Sequence, residues 1–269
     1  MANINCDHCI ANKAHPKLRF DLAALLALAC PVGVEGKAPD TAGPAHVNAD
    51  PTFPFSNEIA AFAKADAAGP ALSNAVLFLG SSSIRLWNTG ASFPARNVIN
   101  RGFGGATTND VLRHYPRLLP RAKPSSVLVY VGENDLAGGA NTDTVSRDVL
   151  SLIRRLRASY PAARIAFLSL KPSPIRWTLW PKMAAVNMTV AARSRAAGFD
   201  YLDVAASLLA NDGLPDASLF TRDGLHMNAR GYQRWTKLVQ DWLQSSSSPP
   251  PAQNRPLRER VDRISSLSD

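Results

Sequence analysis

Five short apolar runs recur along the chain, and each ends in a polar loop. They cover 75–79, 98–100, 127–131, 164–170 and 199–204. Segments with helical spacing separate or follow them. Residues 56–68 carry Ile59, Phe62 and Ala63 on one face, with Ser56 as the expected cap. Residues 108–118 carry Val111, Leu112 and Tyr115, and 142–159 carry Val145, Val149, Leu152, Ile153 and Leu156. A helix over 181–197 closes at Gly198. A last helix, 228–243, turns Tyr232, Trp235, Leu238, Val239 and Trp242 inward. Strands buried on both faces read as continuous apolar runs, and their alternation with helices specifies a parallel sheet covered on two sides. The expected fold class is therefore α/β: a three-layer α/β/α sandwich around a five-stranded, mainly parallel sheet. Nearly half of the 269 residues are hydrophobic, enough for one sizeable core. We place that domain at 53–244.

The two ends read differently. Residues 31–54 are rich in Ala, Gly and Pro, which suits a linker. Before them, Lys17 and Arg19 precede the apolar run 22–30, which exits through Ala27-Leu28-Ala29. This pattern reads either as an export signal, giving a secreted or periplasmic protein, or as a plain leader, giving a cytoplasmic one. The run is too short to span a bilayer. Residues 1–52 are thus assigned to leader and linker, and 245–269 to a polar tail poor in core-forming residues. The cysteines are Cys6, Cys9 and Cys30, all in the leader. Cys6 and Cys9 have the spacing of half a zinc site, with no second Cys or His pair at a suitable distance. Lys and Arg number 30 against 21 Asp and Glu, a formal charge of +9. A basic balance can attract nucleic acid, but no nucleic-acid motif accompanies it, so a nucleic-acid partner is not expected. No stable membrane span is expected either. The oligomeric state stays open.

The chemistry gathers in the loops. The first strand runs into Gly80-Ser81-Ser82-Ser83, followed by Ile84, Leu86 and Trp87 at helical spacing. A serine between strand and helix is an ordinary N-cap, and it is also well placed as a nucleophile at the ligand-binding edge of a parallel sheet. The second strand leads into the loop 102–108, the third into Gly132-Glu133-Asn134-Asp135, and a late loop carries Asp223-Gly224-Leu225-His226. Acyl transfer needs these parts: a hydroxyl, a base to take its proton, a carboxylate to orient the base, and donors for the developing oxyanion. The glycine loop could instead cradle a phosphate, but no P-loop lysine follows and the spacing matches no dinucleotide fingerprint. Arg176 and Trp177, after the fourth strand, are candidates for lining a substrate cleft or for packing.

These blocks resemble the SGNH, or GDSL-type, esterase and lipase superfamily. Four of them occur in the expected order between about Val76 and Tyr232. The resemblance implies a flavodoxin-like hydrolase fold and a serine esterase that needs no metal or organic cofactor. Ser82 takes the nucleophile position, His226 the base and Asp223 the orienting acid. The oxyanion hole falls to the backbone N–H groups of Ser82 and Gly105 and the side chain of Asn134. The implied substrate is a small-molecule carboxylic ester, with short-chain acyl or acetyl groups expected. Specialisation for lysophospholipids or acetylated carbohydrates, or a non-catalytic binding role, are the alternatives. Ser81 stands where the family usually has Asp.

Overall fold

The computed structural model describes residues 55–69 and 72–245. The chain divides into two units, Met1–Val47 and Asn48–Asp269, and every described residue lies in the second. The expected leader and linker, the cysteines and the polar tail from residue 246 lie outside the described residues.

After helix α1 (Ser56–Ala68), strands and helices alternate as the pattern requires. The order is β1 (Val76–Gly80), α2 (Ser82–Arg85), α3 (Thr89–Ser92), β2 (Val98–Gly102), α4 (Thr108–Leu118), β3 (Ser126–Tyr130), α5 (Glu133–Ala137), α6 (Thr142–Ser159), β4 (Arg164–Leu168), a 3₁₀ turn (Pro174–Leu179), α7 (Trp180–Ala197), β5 (Asp200–Leu202) and α8 (Ala229–Gln244). All strand pairs are parallel, in the order β2-β1-β3-β4-β5. This is the doubly wound arrangement in which the chain leaves β1 in one direction for β2 and the other for β3. A crevice opens at that switch, beyond the carboxyl ends of the two strands.

Side chains alternate across a strand, and here the alternation divides the core in two. Leu77, Leu79, Val127, Val129, Ile165 and Phe167 face the layer built by α1, α4, α6 and α7. Val76, Phe78, Leu128, Tyr130, Ala166 and Leu168 face Ile84, Trp87, Phe93 and the inner stripe of α8. Trp235 is the anchor of the second layer, fully buried with its ring centroid 5.0 Å from that of Tyr130.

Several local expectations need correction. Ser56 is the first residue of α1 rather than its cap. The cap position is Phe55, in a left-handed conformation at φ 74°, with its ring edge-on to Phe103 at 5.0 Å. Aromatic packing fixes the chain entry there in place of a side-chain cap. Ala63 is exposed, so the inner face of α1 narrows to Ile59 and the half-buried Phe62. The helix expected through Trp87 is a single turn that stops at Arg85. Leu86 is left 45% exposed, while Trp87 folds back against Phe78 and Trp235. Gly198 closes α7 as expected, at φ 68°, and Thr107 and Asp110 add a reciprocal capping box on α4.

Candidate active site

Two glycines set the position of Ser82. Gly80 ends β1 at φ +152°, and a Cβ there would lie 1.9 Å from the Tyr130 carbonyl oxygen. Gly102 ends β2, and a Cβ there would lie 2.2 Å from the Arg85 nitrogen. Without side chains at both points, the β1–α2 turn sinks between β2 and β3. The Ser81 N–H donates to the Tyr130 carbonyl at 3.1 Å and holds that turn down. Ser81 and Ser83 are each 3% exposed, whereas Ser82 is half-buried with its hydroxyl at the open end. Ser81 caps α2 with backbone only; its hydroxyl makes no capping bond.

The imidazole of His226 meets Ser82 and neither neighbouring serine. His226 Nε2 lies 3.0 Å from Ser82 Oγ, and His226 Nδ1 lies 2.6 Å from Asp223 Oδ2. The turn carrying both is tied within itself. Asp223 Oδ1 accepts the N–H groups of Leu225 and His226, each at 2.9 Å, and the Thr221 hydroxyl at 2.7 Å. Burial, the largest single influence, raises the Asp223 carboxyl, but the Thr221 hydroxyl, the imidazole and the two N–H donors together outweigh it and hold the group well below the usual carboxylate range. Asp223 is therefore an anion facing Nδ1. The Thr221 N–H in turn donates to the His226 carbonyl at 2.8 Å, closing the loop.

Asn134 and the glycine loop face the same crevice from β3 and β2. The Asn134 Nδ2 donates to the Ala106 carbonyl at 2.9 Å. Asp135 accepts the Thr108 N–H at 3.0 Å on each carboxylate oxygen. Burial raises the Asp135 carboxyl, and the Thr108 bond opposes the rise. These bonds tie the two loops together. Gly105 sits between them at φ +74°. The N–H groups of Ser82 and Gly105 have no acceptor among the described residues.

The sequence profile of the GDSL-like lipase/acylhydrolase family matches residues 85–234, more than half of the chain. The chain belongs to that family. The match begins three residues beyond Ser82 and does not include it. Solved structures share the fold. A Streptococcus pneumonia protein, described by reference to platelet activating factor, has a TM-score of 0.63 at 21% identity over 70% of this chain and 92% of its own. A GDSL-like lipase from Bacteroides thetaiotaomicron has a TM-score of 0.59 at 20% identity, over 69% and 96%. A psychrotrophic esterase from Pseudoalteromonas sp., solved in a form inhibited by monoethylphosphonate, has a TM-score of 0.51 at 18% identity, over 64% and 100%. No curated protein matches the chain at a significant level.

In this family member, Ser82, Asp223 and His226 form one hydrogen-bonded chain, while Asn134 and Gly105 border the same crevice. Arg176 and Trp177 part company. Trp177 stacks on Trp180, ring centroids 6.0 Å apart. Arg176 turns inward to Glu133 and Asn134. Sequence reading missed the buried charges beneath Asn134. Glu133 and Lys171 are 3% and 1% exposed, and the Lys171 ammonium reaches Glu133 Oε2 at 2.9 Å. The signal was a lone lysine directly after the apolar run of β4, beside a glutamate inside a recognised block. Among the described residues, no helix is long and apolar enough to cross a membrane.

Proposed function

We propose that the protein is a serine esterase that hydrolyses carboxylic esters through Ser82, His226 and Asp223. The observation that carries this reading is the unbroken contact from Ser82 Oγ to His226 Nε2, and from Nδ1 to the Asp223 carboxylate. In the acylation step Ser82 Oγ attacks the ester carbonyl carbon while His226 Nε2 accepts the hydroxyl proton. The imidazolium so formed is stabilised by the Asp223 anion. His226 then gives the proton to the leaving alcohol, and an acyl-Ser82 remains. In deacylation water attacks the acyl carbon while His226 Nε2 takes its proton; the tetrahedral intermediate then breaks its bond to Ser82 Oγ, His226 returns the proton to that oxygen, and the carboxylic acid departs.

The oxyanion of each tetrahedral intermediate falls to the N–H groups of Ser82 and Gly105 and to Asn134. A primary amide has two N–H donors. Ala106 takes one of those on Asn134, which leaves the other for the substrate oxygen. Donors held in advance of the reaction act without reorganisation. Asn134→Ala is therefore expected to lower kcat by about 10²–10³ with little change in KM. Steady-state hydrolysis of p-nitrophenyl acetate checks this, and unchanged turnover would remove Asn134 from the oxyanion hole.

We place the substrates among short-chain acyl or acetyl esters. The connections from β1, β2 and β3 to α2, α4 and α5 are only 81, 103–107 and 131–132, so none of these three is long enough to build an apolar tunnel. An acyl-length series from acetyl to dodecanoyl, with acetylated glycans and lysophospholipids beside it, tests the class. Highest kcat/KM at two to four carbons supports the assignment, and a maximum at long chains contradicts it.

A further inference from the structure

We propose that Arg176 is a positioning residue for the oxyanion donor Asn134, rather than a substrate-binding residue. The inference rests on reading Asn134 as that donor. The side-chain amide of Asn134 is gripped from two sides. Its Nδ2 donates to the Ala106 carbonyl at 2.9 Å, and its Oδ1 accepts from Arg176 Nη1 at 3.0 Å. A carbonyl can only accept and a guanidinium can only donate. Their placement therefore dictates which end of the amide faces which way, and two anchors fix its plane where one would leave it free to tilt.

Arg176 is itself held. The same Nη1 donates to Glu133 Oε1 at 3.1 Å, and the guanidinium is mostly covered, with the side chain 19% exposed. Glu133 also accepts from the Tyr130 hydroxyl and from Lys171. Burial alone would raise the Glu133 carboxyl, but Lys171, Tyr130 and Arg176 together bring it below its ordinary value. Burial and the neighbouring Glu133 keep the Tyr130 hydroxyl protonated, far above its ordinary range. The cluster is thus a fixed set of donors around one carboxylate, anchored on β3 and on the segment after β4. Arg176 carries that rigidity to the amide of the adjacent residue.

The 3₁₀ turn that supplies Arg176 also reaches the catalytic loop. The Ile175 N–H donates to the Gly224 carbonyl at 3.2 Å, and Pro172 and Pro174 stiffen the approach. One short segment therefore touches both the turn bearing Asp223 and His226 and the donor at Asn134. It sets the spacing between base and oxyanion donor, a distance on which the rate depends steeply.

The test is a double-mutant cycle on ester hydrolysis. Arg176→Met keeps the aliphatic stem and removes the donor. It is expected to lower kcat roughly 10- to 100-fold with KM within about twofold, and to have no further effect in an Asn134→Ala background. A rise in KM at constant kcat would overturn the proposal in favour of direct substrate binding. A full multiplicative loss in the Asn134→Ala background would overturn it too, since Arg176 would then act independently. Failure of the underlying reading shows separately, as wild-type turnover of Asn134→Ala alone. Should Arg176→Met not accumulate folded, Arg176→Lys keeps a charge opposite Glu133 and carries the same cycle, with the same non-additivity expected.

Discussion

Ser82→Ala is expected to lower kcat on any ester the protein turns over by about 10⁶, without loss of folded protein. The size follows from the role proposed for the hydroxyl, which is to carry the acyl intermediate. Ser81 and Ser83 cannot stand in, because both are 3% exposed and the imidazole reaches neither. The fold should tolerate the change. Ser82 is half-buried, and its hydroxyl contact is to His226 alone among those described. The residual rate should not fall to that of water, since binding and the oxyanion donors still supply roughly 10³–10⁴. Burst and steady-state kinetics on p-nitrophenyl acetate check both limits. A loss below tenfold would contradict a covalent mechanism at Ser82.

Asp223→Asn is expected to cost about 10⁴ in kcat with the turn still formed. An asparagine oxygen can continue to accept the N–H groups of Leu225 and His226, which now bond to Oδ1. The other end of the side chain becomes an NH₂ facing His226 Nδ1, where a carboxylate oxygen stands at 2.6 Å. A donor there forces Nδ1 to be the acceptor. The ring proton then sits on Nε2, and the imidazole can no longer take the proton of Ser82. The pH profile separates the two residues. Because the Asp223 carboxyl lies well below its ordinary range, its anionic, imidazole-stabilising form persists above that depressed value. It is lost only as pH falls through it, in strong acid. Wild-type kcat/KM should fall on the acid side, because a protonated imidazole cannot take the Ser82 proton, while the Asp223 anion survives there. A profile that stays flat from neutral pH into acid would contradict an imidazole base.

The sheet was legible because its central strands β1, β3 and β4 are apolar runs buried on both faces, and the helix ranges because their stripes are periodic. The order β2-β1-β3-β4-β5 was not, since it depends on contacts between distant segments. The apolar residues after Ser83 read as one helix, yet α2 ends after four residues. Leu86 and Trp87 are both apolar, and nothing local says that tertiary packing claims one and leaves the other exposed. Gly198 announced the end of its helix, whereas Phe55 fixes the start of α1 by contact with Phe103. At the candidate site, the four blocks could be found in one dimension because three follow a strand and the fourth lies in a polar loop before the last helix. Ser82 could be picked from the three serines by the family block; the burial of its neighbours and the approach of His226 Nε2 to its Oγ needed three dimensions. Arg176 drew notice as a polar residue after a strand. Its partners Glu133 and Asn134 lie 43 and 42 positions away, beyond the reach of spacing arguments.

The central claim is that one activated hydroxyl, at Ser82, faces the imidazole of His226. Its most direct test is labelling of the native protein with a fluorophosphonate, followed by peptide mass spectrometry across residues 80–87. A single adduct at Ser82, absent from Ser82→Ala and strongly slowed in His226→Ala, is the result predicted. An adduct on Ser81 or Ser83, or labelling that persists in Ser82→Ala, would contradict the account.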